Sequence, residues 1–117
     1  MSQKFVTFEV AKALKEAGYW DPGTIIKCSY NNGCYIDDGR FYENGCVCPW
    51  DRLYPAPTYI DAWLWIATRG IKEAKMPSGV ICRTMSEVYV CFKDSGETAE
   101  DDFVKSVEYV IENNLIK

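Results

Sequence analysis

Six cysteines, three loosely clustered aspartates and a complete absence of histidine set the chemistry that this 117-residue sequence offers. Cys28, Cys34, Cys46 and Cys48 supply four thiols, the number zinc takes in a closed tetrahedral site. The usual zinc signature is a pair of Cys-x-x-Cys knuckles. Here the spacings are Cys-x5-Cys and Cys-x-Cys. If Asn31-Asn32-Gly33 closes a two-residue hairpin, Cys28 and Cys34 differ in parity and face opposite sides of the sheet, so the ligands fail to converge. The expectation is therefore no cofactor and thiols packed as small apolar side chains, with Cys28, Cys34, Cys46 and Cys48 the set to consider should a metal be bound. Cys82 and Cys91 differ from these. A tight turn at Ser86-Glu87 would set Met85 opposite Val88 and Cys82 opposite Cys91 across two strands, with Cα atoms about 4.5 Å apart, the short edge of disulfide geometry. This makes Cys82 and Cys91 a candidate cross-strand thiol pair, reduced in a cytoplasmic setting.

Without histidine, Cys-His and Ser-His mechanisms are excluded, and the usual general base near neutral pH is missing. Asp37, Asp38 and Asp51 are the carboxylates to consider for holding a metal or for acid/base work, but Asp37-Asp38-Gly39 reads as a turn held by its own Asx hydrogen bonds. Neither glycine-rich phosphate-binding pattern occurs. The expectation is a protein without catalytic function.

What remains is aromatic. Trp63 and Trp65 stand two apart in Pro57-Thr-Tyr-Ile-Asp-Ala-Trp-Leu-Trp-Ile, and on a helix such a pair points in different directions. Ile60, Trp63, Leu64 and Ala67 follow the i, i+3, i+4, i+7 spacing of a buried stripe, leaving Trp65 beside Asp61, Thr68 and Arg69. An indole on a polar face suits an interface; the alternative is that so apolar a helix is buried nearly all round, with Trp65 covered by the loop before it or by the first helix. The candidate partner-binding set is Trp65, Trp50, Tyr54, Tyr59 and Arg69.

The elements that must position these residues follow from capping, turns and periodicity. Thr7 caps a helix over 8–17 with Val10, Ala11, Leu14 and Ala17 on one face, and Gly18 stops it. Strand-like and turn-like segments follow, with 24–30 and 34–37 forming a first hairpin about Asn31-Asn32-Gly33. Two prolines in Leu53-Tyr-Pro-Ala-Pro enforce extended backbone, after which Thr58 and Asp61 open a helix over 59–69 that Gly70 ends. Residues 71–76, 79–85 and 87–93 read as three antiparallel strands. A final helix over 99–114 carries Phe103, Val104, Val107, Val110 and Ile111. The order is helix, strands, helix, three strands, helix. This predicts an α+β fold in which about three helices pack mainly on one face of an antiparallel sheet, all within a single domain over 1–117.

With 17 acidic against 13 basic residues the net charge is -4, which offers no field to attract phosphate backbones. Helix, three strands, helix over 58–114 resembles the order of double-stranded RNA-binding domains. The last helix, however, opens on Glu97-Thr-Ala-Glu-Asp-Asp, which repels phosphate. A nucleic-acid-binding or nucleic-acid-mimic role is the weaker alternative. The first residues lack the apolar core of a signal peptide and no apolar run nears 18 residues, so a cytoplasmic chain without membrane association is expected.

Three blocks resemble a family of small uncharacterised proteins encoded in bacteriophages and mobile elements of gut anaerobes: Phe5-Val-Thr-Phe-Glu-Val-Ala-Lys-Ala-Leu-Lys-Glu-Ala-Gly-Tyr19, Pro55 to Ile71, and Phe103 to Leu115. The family pattern places a Pro-Thr pair before a helix carrying a tryptophan, which corresponds here to Trp65. The resemblance implies a small accessory protein and names no substrate. The functional expectation is a non-catalytic interaction protein that binds a protein partner, or itself as a homodimer, through an aromatic surface. The alternative is a cysteine-based zinc-binding or redox-sensitive protein.

Overall fold

The computed structural model describes residues 4–20, 29–31, 35–37, 40–43, 46–47, 53–93 and 96–117. Among these the chain is α+β, with four helices and short antiparallel strands. The backbone gathers into two compact units, Phe5–Pro57 and Met1–Lys4 with Thr58–Lys117.

In the Phe5–Pro57 unit, helix α1 (Phe8–Glu16) starts where the Thr7 hydroxyl accepts the Val10 N–H. Its apolar spacing buries Val10, Ala11 and Leu14. Gly18, with φ 105°, occupies the left-handed region just past the helix end. Strand β1 (Ser29–Asn31) pairs antiparallel with β5 (Leu53–Pro55), matching Tyr30 to Tyr54. The hairpin expected about Asn31-Asn32-Gly33 is thus replaced by a long-range pairing for this strand. The proline-bearing segment suits such a strand, since Pro55 ends the ladder, where the missing N–H costs least. A separate three-stranded sheet runs β2 (Tyr35–Asp37), β3 (Arg40–Glu43), β4 (Cys46–Val47), with Ile36 opposite Phe41 and Tyr42 opposite Val47.

In the other unit, α2 (Tyr59–Arg69) is capped by Thr58, whose hydroxyl accepts the Asp61 N–H. It ends at Gly70 with φ 93°. The buried residues of α2 are Tyr59, Ala62 and Ile66. The stripe expected through Leu64 and Ala67 is therefore rotated, and both of those residues face out. A helix this apolar all round leaves periodicity little with which to choose a face. Beyond it, β6 (Ala74–Lys75) and β7 (Ile81–Cys82) form a short hairpin, Ala74 opposite Cys82.

The third strand expected in this region is instead a helix, α3 (Met85–Phe92). Thr84 caps it by accepting the Glu87 N–H at 3.2 Å. The Glu87 carboxylate reaches back to accept the Arg83 N–H and the Thr84 hydroxyl. Thr-Met-Ser-Glu is a Thr-x-x-Glu capping sequence, so Ser86-Glu87 forms a first helical turn and not a hairpin tip. Met85 and Val88, once placed opposite each other on two strands, are instead an i, i+3 pair on the buried helix face.

Helix α4 (Ala99–Glu112) has a full capping box between Thr98 and Asp101. It buries Val107 and Val110 together with Asp102 and Ser106. The Ser106 hydroxyl is satisfied by the Asp102 carbonyl, 2.7 Å away one turn earlier. Gly96, before this helix, lies so close to Asp101 that a Cβ would come within 2.3 Å of the aspartate Cβ. Past α4 the chain returns to α2: Ile116 bridges Ile71, and Arg69 Nε donates to the Lys117 carbonyl at 2.8 Å.

Because the α3 cap decides helix over strand, Thr84→Ala should destabilise the chain by about 1 kcal/mol while Thr84→Ser stays near wild type. Denaturant midpoints of the three proteins check this.

Candidate functional site

The aromatic residues of the Thr58–Lys117 unit divide between packing and surface. Trp63 meets Phe103 edge-on at 5.4 Å and Tyr89 at 6.0 Å, and Tyr89 and Phe103 lie 4.8 Å apart. This cluster ties α2, α3 and α4 together. Its cost is the indole Nε1 of Trp63, which is buried without a hydrogen-bond acceptor among the described residues.

Of the candidate partner-binding set, the structure brings together Trp65 and Arg69. The guanidinium lies 5.7 Å from the half-buried Trp65 ring, one helical turn away. Tyr59 does not belong to any surface: it is 4% exposed and packs in the core as the first residue of α2. Tyr54 sits in the Phe5–Pro57 unit, half-buried, where Phe8 meets its ring edge-on at 5.2 Å. The buried Lys15 ammonium lies 4.6 Å over the same ring and donates to the Leu53 carbonyl, so Tyr54 helps offset the desolvation of a charge. Trp50 lies outside the described residues.

The cysteines divide similarly. Cys28, Cys34 and Cys48 lie outside the described residues, and of Cys46 only the strand backbone is described. No group of three or more metal-ligating side chains occurs among the described residues. Cys82 and Cys91, however, stand with their sulfurs 3.6 Å apart. They do so across a strand and a helix, with Cys82 in β7 and Cys91 in the last turn of α3, so the pair is not cross-strand. Cys82 is fully buried, and Cys91 is exposed. Burial pushes the Cys82 thiol up to about 11, with its hydrogen bond to Cys91 and the nearby Cys91 and Glu87 acting in the same direction.

Cys91 also lines an open depression of about 430 Å³, with Ser78, Val80, Glu87 and Val90. Val90 is 66% exposed and Val80 50%, and the neighbouring Ile81 is 45% exposed. Sequence reasoning passed over this apolar rim. The signal was there in Met85-Ser-Glu-Val-Tyr-Val90: once Met85 and Val88 face inward on a helix, Val90 must turn outward.

No protein-family model, curated protein or solved structure matches this chain. Among the described residues, no helix is long and apolar enough to cross a membrane.

The raised Cys82 thiol has a consequence for stability. A thiol titrating higher in the folded chain than in the unfolded one contributes its full stability below the ordinary value of 9.0. That contribution is lost as pH rises through about 11. The wild type should therefore lose stability relative to Cys82→Val between these values, as read from melting temperatures of both proteins across that range.

Proposed function

We propose that the chain is a non-catalytic interaction protein that binds another protein, or a second copy of itself, through exposed apolar side chains of the Thr58–Lys117 unit. The observation that carries this reading is the pair Val80 and Val90, two large aliphatic side chains at least half exposed around one depression. Apolar surface of this kind, rimmed here by Ser78 and Glu87, is typical of surfaces that another apolar group covers. Leu64, 54% exposed on α2, adds apolar surface to the same unit.

Composition supports the protein class of partner. A net charge of -4 and the acidic first turn of α4 disfavour phosphate backbones. Trp65 under Arg69 is a second location for the interface on the same unit. The resemblance to small phage and mobile-element proteins is consistent with an accessory role that needs no catalytic residue.

The test uses Val90→Lys, which replaces an exposed aliphatic with a cation near a helix C-terminus, where it is tolerated. The expected outcome is that wild-type protein self-associates, or holds one identified protein in stoichiometric amount, and that Val90→Lys loses this with an unchanged melting temperature. Light scattering and affinity capture followed by mass spectrometry are the measurements. Retention of the partner by Val90→Lys and its loss on Trp65→Ala would move the interface to α2. Retention by both variants would overturn the proposal.

A further inference from the structure

The Cys82–Cys91 pair combines three properties that no other described side chains share. The sulfurs are in contact at 3.6 Å, against about 2.05 Å in a disulfide, so closure needs an approach of roughly 1.5 Å. One thiol is buried and the other exposed, which assigns them different roles. The exposed one opens onto a depression wide enough for a small molecule to reach its sulfur. Cys91 sits in the last turn of α3, where helix ends adjust most easily.

We propose that Cys82 and Cys91 form a modification site, a dithiol oxidised by hydrogen peroxide to an intramolecular disulfide with Cys91 as the attacking residue and Cys82 as the resolving one. In the first step the Cys91 sulfur attacks one peroxide oxygen. An S–O bond forms, the O–O bond breaks, and the departing hydroxide leaves as water with the thiol proton, giving a sulfenic acid at Cys91. In the second step the Cys82 sulfur attacks the Cys91 sulfur. The S–S bond forms as the S–O bond breaks, and the hydroxide leaves as a second water with the Cys82 proton. The two sulfurs together give up two electrons, and the peroxide oxygens gain them. A dithiol reductant reverses the change by exchange.

The roles follow from position. Cys82, in β7, is fully buried against Cys91 of α3 and is held as the neutral thiol by its burial, so it cannot be the first to meet an oxidant. Cys91 has access, and a sulfenic acid formed there already touches its resolving partner. The product ties the end of α3 covalently to β7 and draws Cys91 in from the rim that it shares with Val80 and Val90. The oxidation itself is independent of whether that rim holds a partner.

Trypsin separates the two residues because Arg83 lies between them, giving peptides 76–83 and 84–93. Fully reduced chain treated with hydrogen peroxide and digested without reductant should yield these peptides joined by a disulfide, and a dithiol should release them. Cys91→Ser should yield no such link and leave Cys82 unmodified. Cys82→Ala should accumulate sulfenic acid at Cys91, captured by dimedone. Because Cys91 is exposed, Cys91→Ser keeps the fold, so the comparison stands even if Cys82→Ala melts early. Peroxide that leaves both thiols free, or that joins Cys91 to any of Cys28, Cys34, Cys46 or Cys48 instead, would overturn the assignment.

Discussion

One hydrogen bond, made four times among the described residues, governs where the chain turns from extended to helical. Thr7, Thr58, Thr84 and Thr98 each stand in extended backbone and accept, through the side-chain oxygen, the N–H three residues on. The first turn of a helix leaves donors without partners, and a β-hydroxyl at this position satisfies one of them while fixing the residue at which winding begins. At Thr58, Thr84 and Thr98 the third residue is acidic, so the cap also meets the positive end of the helix dipole. Starting points matter because helices of eight to fourteen residues are marginal alone and persist through the faces they bury. A start displaced by one residue would rotate every such face by about 100°.

The same bond explains what was legible in the sequence and what was not. At Thr7 and Thr58 the threonine precedes a segment of helical period, and both helices are where capping and a following glycine put them. At Thr84 the following residues, Val88-Tyr-Val-Cys-Phe, are mostly β-branched or aromatic, so strand propensity competes with the cap. That preference is weak and depends on context. Capping by Thr84 and Glu87 adds directed hydrogen bonds, and burial of Met85 and Val88 on one face adds packing that a strand at this position would have to replace. Face assignment on α2 failed for another reason. Of its eleven residues only Asp61, Thr68 and Arg69 are plainly polar, so several stripes fit equally well, and the aromatic cluster with Tyr89 and Phe103 selects among them. The pairing of β1 with β5 was illegible because nothing local to either strand encodes a partner more than twenty residues away.

Exposure of the α3 surface follows from the geometry of its neighbours. Val90 is the sixth residue of α3, and the two inward positions, Met85 and Val88, leave it on the far side of the helix. The hairpin of β6 and β7 brings Val80 to the same depression, because its two-residue strands are too short to carry side chains away from the turn. Two aliphatic residues thus meet at the surface as a by-product of how α3 begins, and covering them would recover roughly 25 cal/mol per Å² of apolar area.

The two thiols show how much rests on that beginning. A hairpin register and a strand-to-helix turn both bring Cys82 and Cys91 together, yet they give the pair different chemistry. Opposed across a hairpin, the two sulfurs would share one face of a sheet and a similar environment, with nothing to distinguish attacking from resolving residue. With Thr84 turning the chain into a helix, Cys82 is left in the strand beneath α3 while Cys91 rides its last turn into solvent. Contact is kept and symmetry is lost. That asymmetry assigns the two roles: the reachable sulfur of Cys91 meets a small oxidant, and the buried sulfur of Cys82 waits within reach. The capping hydroxyl of Thr84 therefore sets both the apolar rim and the inequality of the thiols beside it.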